Sequence, residues 1–336
     1  MIIKHKFILI AFIAIAVAVI LTGRGKTYNR DIYGVFDTVS NISIHSTKDT
    51  TADYEQLLKK LDSQLNVYNE NSIISKLNNG ELCALPPELT VFLSDAASYS
   101  SYLGDYFDIS LNPVISSWTL AEKNLLLPDD IKEKLSLVGI DALYIDYEAN
   151  TAKIKEDGAS INLGAVAKGY AANVLADRMR ADAIGSALIN LGGNVYAVGA
   201  KPDGSDWNIA ICDPENTAQT AVTVKCTDSA VVTSGDYERY FELDGKKYHH
   251  IIDPKTGYPS DSGLSSVTII DRDAMLCDVL STAIFVAGAN KAQEILSKFG
   301  GEAILIENNN IYYTDGLVEK IELNSDKYFL IPLQNR

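Results

Sequence analysis

Hydrophobic and polar residues alternate in short runs along much of this chain, and segments with helical spacing separate those runs. Residues 35–44 alternate in this way and predict a strand. Residues 50–53 resemble a capping box ahead of leucines at helical spacing, and Pro86 and Pro87 open a second helix that Gly104 ends. Further helices are predicted over residues 129–138, 165–179, 274–287 and 292–299.

Tight turns join many of the predicted strands. Asp244-Gly245 indicates a hairpin, and Gly192-Gly193 divides residues 187–198 into two strands. Because strands joined by short turns are interleaved with helices, the sequence predicts an α+β fold with mixed or antiparallel sheets, and not a doubly wound sheet. The other predicted strands cover residues 142–147, 151–155, 207–212, 221–226, 230–233, 303–307 and 311–314.

The first 26 residues have the pattern of a targeting segment. Two lysines precede an unbroken apolar run over residues 7–21, which is close to the ~20 apolar residues that a membrane span needs. We interpret residues 1–26 as a signal peptide or, preferably, an uncleaved signal anchor; a buried core helix is the alternative. Residues 27–34 then predict a polar tether, and residues 35–336 the folded domain. The basic residues before the apolar run predict attachment to the cell membrane with the domain on the extracytoplasmic side.

The net charge of the chain limits the kinds of molecule that it is expected to bind. The 336 residues include 29 Lys plus Arg against 44 Asp plus Glu, a net charge of -15. An acidic body repels phosphate backbones, so nucleic-acid binding is disfavoured. The cysteines lack metal-type spacing, and the sequence leaves open whether any of them pair as disulfides. They are Cys83, Cys212, Cys226 and Cys277.

Asp278 and Thr282 are a candidate metal pair. They lie four residues apart in a predicted helix and therefore share one face. A carboxylate and a hydroxyl are hard oxygen ligands suited to Mg²⁺, which prefers few protein ligands together with waters and phosphates. The alternatives are a cap or salt bridge for Asp278 and a hydrogen bond of Thr282 within its own helix.

Residues 161–170 place polar groups where a predicted strand turns into a helix. Free backbone amides at a helix start attract phosphate, and Lys168 adds a positive charge. The spacing is not that of a Walker A loop. Tight helix–strand packing through small residues is the alternative.

An aromatic pair, Tyr106 and Phe107, precedes Asp108. Such a pair can stack on a planar ring while the carboxylate bonds to the edge of that ring. The alternative is a core Phe107 with Asp108 satisfying a turn.

The adjacent imidazoles of His249 and His250 provide a candidate base. Neighbouring side chains of an extended segment point to opposite faces, so only one ring can face a given cleft. We expect His250 to face it, because this residue ends a predicted strand just before a turn, and an imidazole suits general-base work near neutral pH. The alternative is one exposed ring and one ring bonded to a backbone carbonyl.

Seven segments of the chain follow, in order, the motifs of one enzyme family. They are Phe36-Asp37-Thr38-Val39-Ser40-Asn41-Ile42, Tyr106-Phe107-Asp108-Ile109-Ser110, Asn162-Leu163-Gly164-Ala165-Val166-Ala167-Lys168-Gly169, Asn190-Leu191-Gly192-Gly193-Asn194, Thr233-Ser234-Gly235-Asp236-Tyr237, His250-Ile251-Ile252-Asp253-Pro254-Lys255-Thr256-Gly257 and Asp278-Val279-Leu280-Ser281-Thr282-Ala283. Together these segments resemble the ApbE-like flavin transferases (FAD:protein FMN transferases). Four positions depart from the family pattern: Phe36-Asp37 replaces Met-Gly, and Asn162 and Asn194 stand where Asp is common.

The resemblance implies a two-lobed, T-fold-like α+β architecture with FAD bound in a cleft. It implies Mg²⁺-dependent transfer of FMN from FAD to a threonine hydroxyl of an acceptor protein, a flavin-dependent electron-transfer protein, with release of AMP. Two alternatives are an extracytoplasmic FAD pyrophosphatase, in which water replaces the hydroxyl, and a non-catalytic flavin-binding protein.

The resemblance also implies roles for individual residues. Mg²⁺ would lie on Asp278, Thr282 and the carbonyl of Ala165. His250 would activate the acceptor hydroxyl, with Asp253 or Asp236 next in line. The residues implied to contact FAD are Phe36, Tyr68, Tyr106, Phe107, Asp108, Asn162, Lys168 and Ile251.

Overall fold

The structure, a computed structural model, describes residues 25–335. The predicted signal or anchor segment lies outside the described residues except for its last two. Within the described part of the chain, no helix is both long enough and apolar enough to cross a membrane. The strands are β1 (Lys26–Val35), β2 (Thr38–Ser46), β3 (Cys83–Ala84), β4 (Leu143–Asp146), β5 (Thr151–Ile154), β6 (Ser186–Leu191), β7 (Asn194–Gly199), β8 (Trp207–Asp213), β9 (Asn216–Cys226), β10 (Ser229–Gly235), β11 (Tyr240–Leu243), β12 (Lys246–His249), β13 (Ser266–Asp271), β14 (Glu302–Glu307), β15 (Asn310–Tyr313), β16 (Ile321–Leu323) and β17 (Phe329–Pro332). The helices are α1 (Thr51–Leu65), α2 (Ile73–Asn78), α3 (Pro87–Leu103), α4 (Asn112–Asn124), α5 (Ile131–Leu135), α6 (Ala167–Ala181), α7 (Ala274–Ala287) and α8 (Ala289–Phe299).

Nine of these strands form the main sheet, in the order β1-β2-β6-β7-β10-β13-β14-β15-β17. Neighbouring strands run antiparallel except β15 and β17, which are parallel. Three smaller sheets consist of β11-β12, of β16-β9-β8 and of β3-β5-β4. The predicted α+β class with mixed and antiparallel sheets is therefore confirmed.

The central strands of the main sheet are buried on both faces. In β10, Ala230 and Val232 belong to the core shared with the helices, whereas Val231 between them belongs to a second core shared with β8 and β9. On β13, Ile269 and Ile270 divide between the two cores in the same way. Side chains alternate between the faces of a strand, so these strands are buried at nearly every position although they include serines and threonines.

Helix α7 is almost fully buried, because it contacts β10 and β13 on one side and α6 and α8 on others. Apolar residues account for most of it, and yet Asp278 and Ser281 are buried in the same helix. Buried polar groups in an apolar helix are costly without partners, so Asp278 and Ser281 mark the position of a candidate functional site.

A third hydrophobic cluster fixes the hairpin β11–β12 and the turn after it. Trp118 of α4 stacks on Tyr248, with ring centroids 5.6 Å apart, and meets Tyr258 edge-on. Its indole N–H donates to the carbonyl of Gly257 over 2.7 Å. Helix α4 therefore holds the segment that carries both histidines of the candidate site.

The prediction of a polar tether over residues 27–34 is wrong, because these residues form most of β1. The strand pairs with β2, and of its residues only Ile32 and Val35 are buried. The side chain of Arg30 donates to Thr51 and Glu55 of α1. The polarity of this segment thus reflects an edge strand with one solvated face.

Two local predictions also need correction. The strand predicted over residues 35–44 is interrupted by a turn at Phe36 and Asp37, which separates β1 from β2. The capping box does not form, because the Thr50 side chain does not cap α1, and Asp49 accepts the N–H of Thr51 instead. The sequence pattern also does not predict α4, whose buried face includes polar Ser117 beside its apolar positions.

Candidate active site

The turn between β10 and β11 holds the imidazole of His250. The backbone carbonyl oxygen of Arg239 lies 3.1 Å from both the backbone nitrogen and Nδ1 of His250. Because a carbonyl oxygen only accepts hydrogen bonds, both nitrogens donate, and Nδ1 carries the ring hydrogen. In the neutral ring, Nε2 therefore keeps a lone pair that can accept a proton.

The surroundings of His250 keep its ring neutral. His250 is exposed at the protein surface. The protein atoms around the ring nevertheless displace enough water to disfavour its charged imidazolium form. Desolvation is the largest cause that lowers the pKa of His250 to about 4, and the charges of Lys168 and Arg239 lower it further. The ring is thus in its base form at neutral pH, and a bound anion would raise its pKa.

His249 has a structural role. Its Nε2–H donates to the carbonyl of Ser260 over 2.9 Å, and its Nδ1 accepts the backbone N–H of Ile251 over 3.2 Å. The ring also meets Phe285 edge-on. Because both ring nitrogens are occupied, His249 links the hairpin to the next turn, and only His250 offers a free nitrogen.

Asp278 is a buried carboxylate without a protein cation. It is 3% exposed, and its Oδ2 accepts the backbone N–H of Gly169 over 2.9 Å. Within residues 25–335, no Lys, Arg or His side chain forms an ion pair with it. A buried carboxylate is costly unless a cation compensates it, so this position fits a metal ion.

Two hydroxyl residues of the same helix, Ser281 and Thr282, bond to Ser234 of β10. Thr282 lies one turn after Asp278, and its Oγ1 is 3.2 Å from Oγ of Ser234, which is 2.9 Å from Oγ of Ser281. Ala165 lies in the turn that leads into α6, four residues before Gly169. This donor set has one carboxylate, as Mg²⁺ accepts when substrate oxygens and waters complete its shell. Among residues 25–335, no group of three or more His, Cys, Asp or Glu side chains is arranged to hold a metal ion by itself.

A close helix crossing holds α6 against α7. A Cβ atom at Gly169 would lie 2.3 Å from the carbonyl oxygen of Ala274, so only glycine fits. The close packing at this small residue is therefore between two helices, and not between a helix and a strand as in the alternative interpretation of this segment. The neighbouring Lys168 donates to the carbonyl of Gly164 over 3.3 Å. The positive charge of Lys168 is also one of the causes that lower the pKa of His250.

Glu238 also belongs to this neighbourhood, and the sequence argument does not select it. Desolvation is the main cause that raises the pKa of Glu238 to about 7; Asp278 raises it further, while Lys168 and Arg239 oppose the shift. The side chain is exposed and lies one residue before the carbonyl that orients His250. A glutamate at a turn is ordinary in sequence, so only the folded chain reveals its charged neighbours.

Comparison with known proteins decides the family. A model described as the ApbE family matches residues 36–305 of this chain. The chain belongs to the ApbE family.

Curated ApbE relatives cover most of the chain. A protein from Treponema pallidum named FAD:protein FMN transferase is 31% identical over 295 residues, which cover 82% of each chain. A Klebsiella pneumoniae protein of the same name is 34% identical over 242 residues, or 70% of this chain and 75% of the relative. The solved ApbE protein of Thermotoga maritima has a TM-score of 0.77 at 28% identity, covering 89% of this chain and 97% of its own. The predicted resemblance is confirmed, and with it the transferase class.

Phe36, the first predicted ApbE flavin contact, lies at the tip of the hairpin β1–β2. Its backbone N–H donates to Oδ1 of Asp62 over 2.9 Å. The next residue, Asp37, accepts a hydrogen bond from the guanidinium of Arg239 over 3.0 Å through its carbonyl. The departure from the family's Met-Gly pattern therefore falls on a turn that is bonded directly to the segment holding His250.

The predicted aromatic contacts differ in accessibility. Tyr68 is 63% exposed, and Tyr106 is half-buried, with the ammonium of Lys255 5.3 Å from its ring centroid. Phe107 and Ile251 are buried in the main core, at 3% and 5% exposed. Their side chains pack in the protein interior of this structure.

Asp108 and Asn162 both organise turns. Oδ1 of Asp108 accepts the backbone N–H and the hydroxyl of Ser110, each over 2.7 Å, and burial raises the pKa of the Asp108 carboxyl. Oδ1 of Asn162 accepts the N–H of Gly164, and its amide donates to Asn112. The turn role considered for Asp108 is therefore present, and Asn162 shapes the approach to α6.

Asp253 and Asp236, the two alternative candidates for the base, make contacts of their own. Asp253 accepts the backbone N–H of Lys255 and contributes to a cavity of about 630 Å³ that His250 does not line. Asp236 is paired with Lys247, at 3.0 Å between Oδ1 and Nζ. Each carboxylate has one oxygen bonded to a neighbouring group, but neither takes part in the contacts between Arg239 and His250.

Proposed function

We propose that this chain transfers FMN from FAD to a threonine hydroxyl of an acceptor protein and releases AMP. One observation carries the proposal: the neutral ring of His250 has Nδ1 committed to the Arg239 carbonyl, with Nε2 free. A base held in this way can take a proton from an incoming hydroxyl. The nearby charge of Lys168 suits an anionic substrate such as a pyrophosphate.

The proposed step is a displacement at phosphorus. The threonine oxygen bonds to the phosphorus of the FMN half, and its proton moves to Nε2 of His250. The bond between that phosphorus and the bridging oxygen of the pyrophosphate breaks, and its electron pair leaves with AMP. Such a step depends on positioning and on neutralising charge, because no covalent enzyme intermediate is needed.

Asp278, Thr282 and the carbonyl of Ala165 would hold Mg²⁺. The fit rests on the buried, uncompensated carboxylate of Asp278 beside a hydroxyl one helical turn away. When bound, Mg²⁺ supplies positive charge to the pyrophosphate oxygens. The backbone of Gly169 holds the carboxylate in place by hydrogen bonding to its Oδ2 atom.

FAD would bind along the surface that joins these elements. Phe36, Tyr68 and Tyr106 offer accessible aromatic rings for stacking. Asn162 and Asp108 shape the adjoining turns, with one oxygen of each bonded to the backbone. Lys168 would face the pyrophosphate.

The acceptor would be a flavin-dependent electron-transfer protein on the extracytoplasmic side of the membrane. This location rests on the N-terminal apolar run and its preceding lysines. The net charge of -15 argues against nucleic acid as a partner.

Product analysis tests the proposal. The purified protein is incubated with FAD and Mg²⁺, with and without detergent-solubilised membrane proteins of the source cells. Flavin fluorescence that survives denaturation and AMP measured by chromatography report transfer, and we expect both only when acceptor proteins are present. Free FMN and AMP without acceptor would instead indicate a pyrophosphatase. Binding of FAD without any product would indicate a flavin-binding protein.

A further inference from the structure

Arg239 contacts two separate parts of the candidate site. Its guanidinium donates to the carbonyl of Asp37, at the tip of the hairpin β1–β2, over 3.0 Å. Its own carbonyl accepts two hydrogen bonds from His250, each over 3.1 Å. A single residue thus bonds to the turn that carries Phe36 and to the ring of the proposed base.

The turn at the hairpin tip has an unfavourable backbone conformation. Phe36 and Asp37 have φ angles of 51° and 52°, in the left-handed region that favours glycine. Two side chains from other elements hold it: Asp62 accepts the N–H of Phe36, and Arg239 donates to the carbonyl of Asp37. A turn of this kind persists when its surroundings fix it.

The guanidinium that holds this turn is charged and lies at the protein surface. Arg239 is exposed, and no carboxylate among residues 25–335 forms an ion pair with its guanidinium. Its charge also contributes to lowering the pKa of His250. The guanidinium instead bonds to a turn whose two residues have positive φ angles.

We propose that Arg239 is a positioning residue that couples the Phe36–Asp37 turn to the orientation of the His250 ring. The coupling rests on the proposed function, in which Phe36 contacts FAD and His250 is the base. The guanidinium holds the strained turn, and the carbonyl of the same residue holds Nδ1 of His250. Loss of the guanidinium leaves that carbonyl in the chain but removes the contact that ties Arg239 to the turn, so we infer that the turn is released and the carbonyl holds the ring less firmly.

The first test measures FAD affinity without Mg²⁺ or acceptor, so it does not depend on turnover. We expect Arg239→Ala to raise the Kd for FAD about tenfold, which is the effect of one lost hydrogen bond to a charged donor. Adding Asp37→Gly to this variant should restore most of the affinity, because glycine adopts a positive φ without a stabilising hydrogen bond from Arg239. Asp244→Gly provides the matched control: Asp244 also has a positive φ, of 52°, but in the hairpin β11–β12.

The second test follows the His250 ring by ¹⁵N NMR. The wild-type protein should show the tautomer with hydrogen on Nδ1, and Arg239→Ala should show a mixture of both tautomers. Arg178→Ala is the control for loss of a surface arginine, because Arg178 pairs with Asp182 at the end of α6. Arg239→Lys, which retains a charged donor, should resemble the wild type.

Three results would overturn the inference: unchanged FAD affinity in Arg239→Ala, an unchanged His250 tautomer in that variant, or equal rescue by Asp37→Gly and Asp244→Gly. The thermal midpoint of each variant shows whether it is folded. Failure of the proposed function looks different, because the wild-type protein itself would then fail to bind FAD or to form products from it.

Discussion

Gly169 donates its backbone N–H to Oδ2 of Asp278 over 2.9 Å, where α6 and α7 cross with room for no side chain. The crossing connects the segment that carries Lys168 to the helix that carries the proposed metal ligands. Because backbone atoms of Ala274 and Met275 lie within 2.8 Å of a Cβ atom at Gly169, neither helix can accommodate one without moving.

We predict that Gly169→Ala lowers both stability and activity. Overpacking of this kind typically costs about 1–3 kcal/mol, and separation of the helices would withdraw the N–H from Asp278. Thermal unfolding measures the first effect, and AMP release in the presence of acceptor measures the second. Gly185→Ala is the control, since a Cβ atom there has nothing within 4 Å. Equal thermal midpoints for the two variants would contradict the packing argument.

Asp278→Asn separates the charge of this residue from its shape. The amide oxygen can still accept the N–H of Gly169, so the fold should survive, and removing an uncompensated buried charge should leave the metal-free protein at least as stable. Added Mg²⁺ should raise the thermal midpoint of the wild type, because a ligand that binds the native state stabilises it. We expect no such increase for the variant, and a loss of Mg²⁺-dependent activity by orders of magnitude. An equal Mg²⁺-induced increase in both proteins would mean that the metal binds elsewhere.

The elements with strong periodicity could be predicted from the sequence, and the reason is local. Helix α7 was expected over residues 274–287 and the β6–β7 turn at Gly192-Gly193, and both agree with the structure. In these segments the apolar pattern and the turn residues favour the same structure. The edge strand β1 and helix α4 lack such agreement, because polar residues occupy the solvated face of β1 and a buried position of α4.

Candidate site residues could be predicted from the sequence only where the argument for them needs no more than one short segment. The sequence indicates His250 and the pair Asp278 and Thr282, since each depends on neighbours within a few residues. It does not indicate Glu238, whose pKa reflects desolvation by the surrounding protein and the charges of Lys168 and Asp278, which are distant in sequence. The burial of Phe107 and Ile251 likewise depends on packing between elements far apart in the chain.

The titrations of His250 and Glu238 should affect stability with opposite signs. The pKa of His250 falls from 6.5 to about 4 on folding, so between these values the unfolded chain binds more protons and stability rises with pH. The pKa of Glu238 rises from 4.5 to about 7, so the native state binds more protons and stability falls as pH rises. Both side chains are exposed, so solvent screens the effects and the sign of each slope is the test.

Denaturant unfolding between pH 4 and 7 measures these slopes in two variants. Relative to the wild type, His250→Gln should lose the rising contribution, so its stability should fall more steeply with pH. Glu238→Gln should lose the falling contribution and show the opposite change. The assignment of these pKa shifts would be wrong if the two variants changed the slope in the same direction.

The location of the folded domain can be tested separately. With the lysine-flanked apolar run holding the N-terminus inside, the domain should lie outside the membrane. Protease added to cells with an opened wall or outer membrane should then degrade it, while a cytoplasmic marker protein stays intact. Protection of the whole chain would reject this topology.

Covalent flavin on the acceptor, compared between His250→Ala and His249→Ala, tests the central claim most directly. His250 offers a free Nε2, whereas both ring nitrogens of His249 are hydrogen-bonded to the backbone. We therefore predict that His250→Ala still binds FAD but loses transfer by about 10²–10⁴-fold, the usual contribution of a general base. His249→Ala should keep transfer and instead lower the thermal midpoint, since it loses two hydrogen bonds. Normal flavin labelling by His250→Ala would contradict the account, because the base would then have to be another residue.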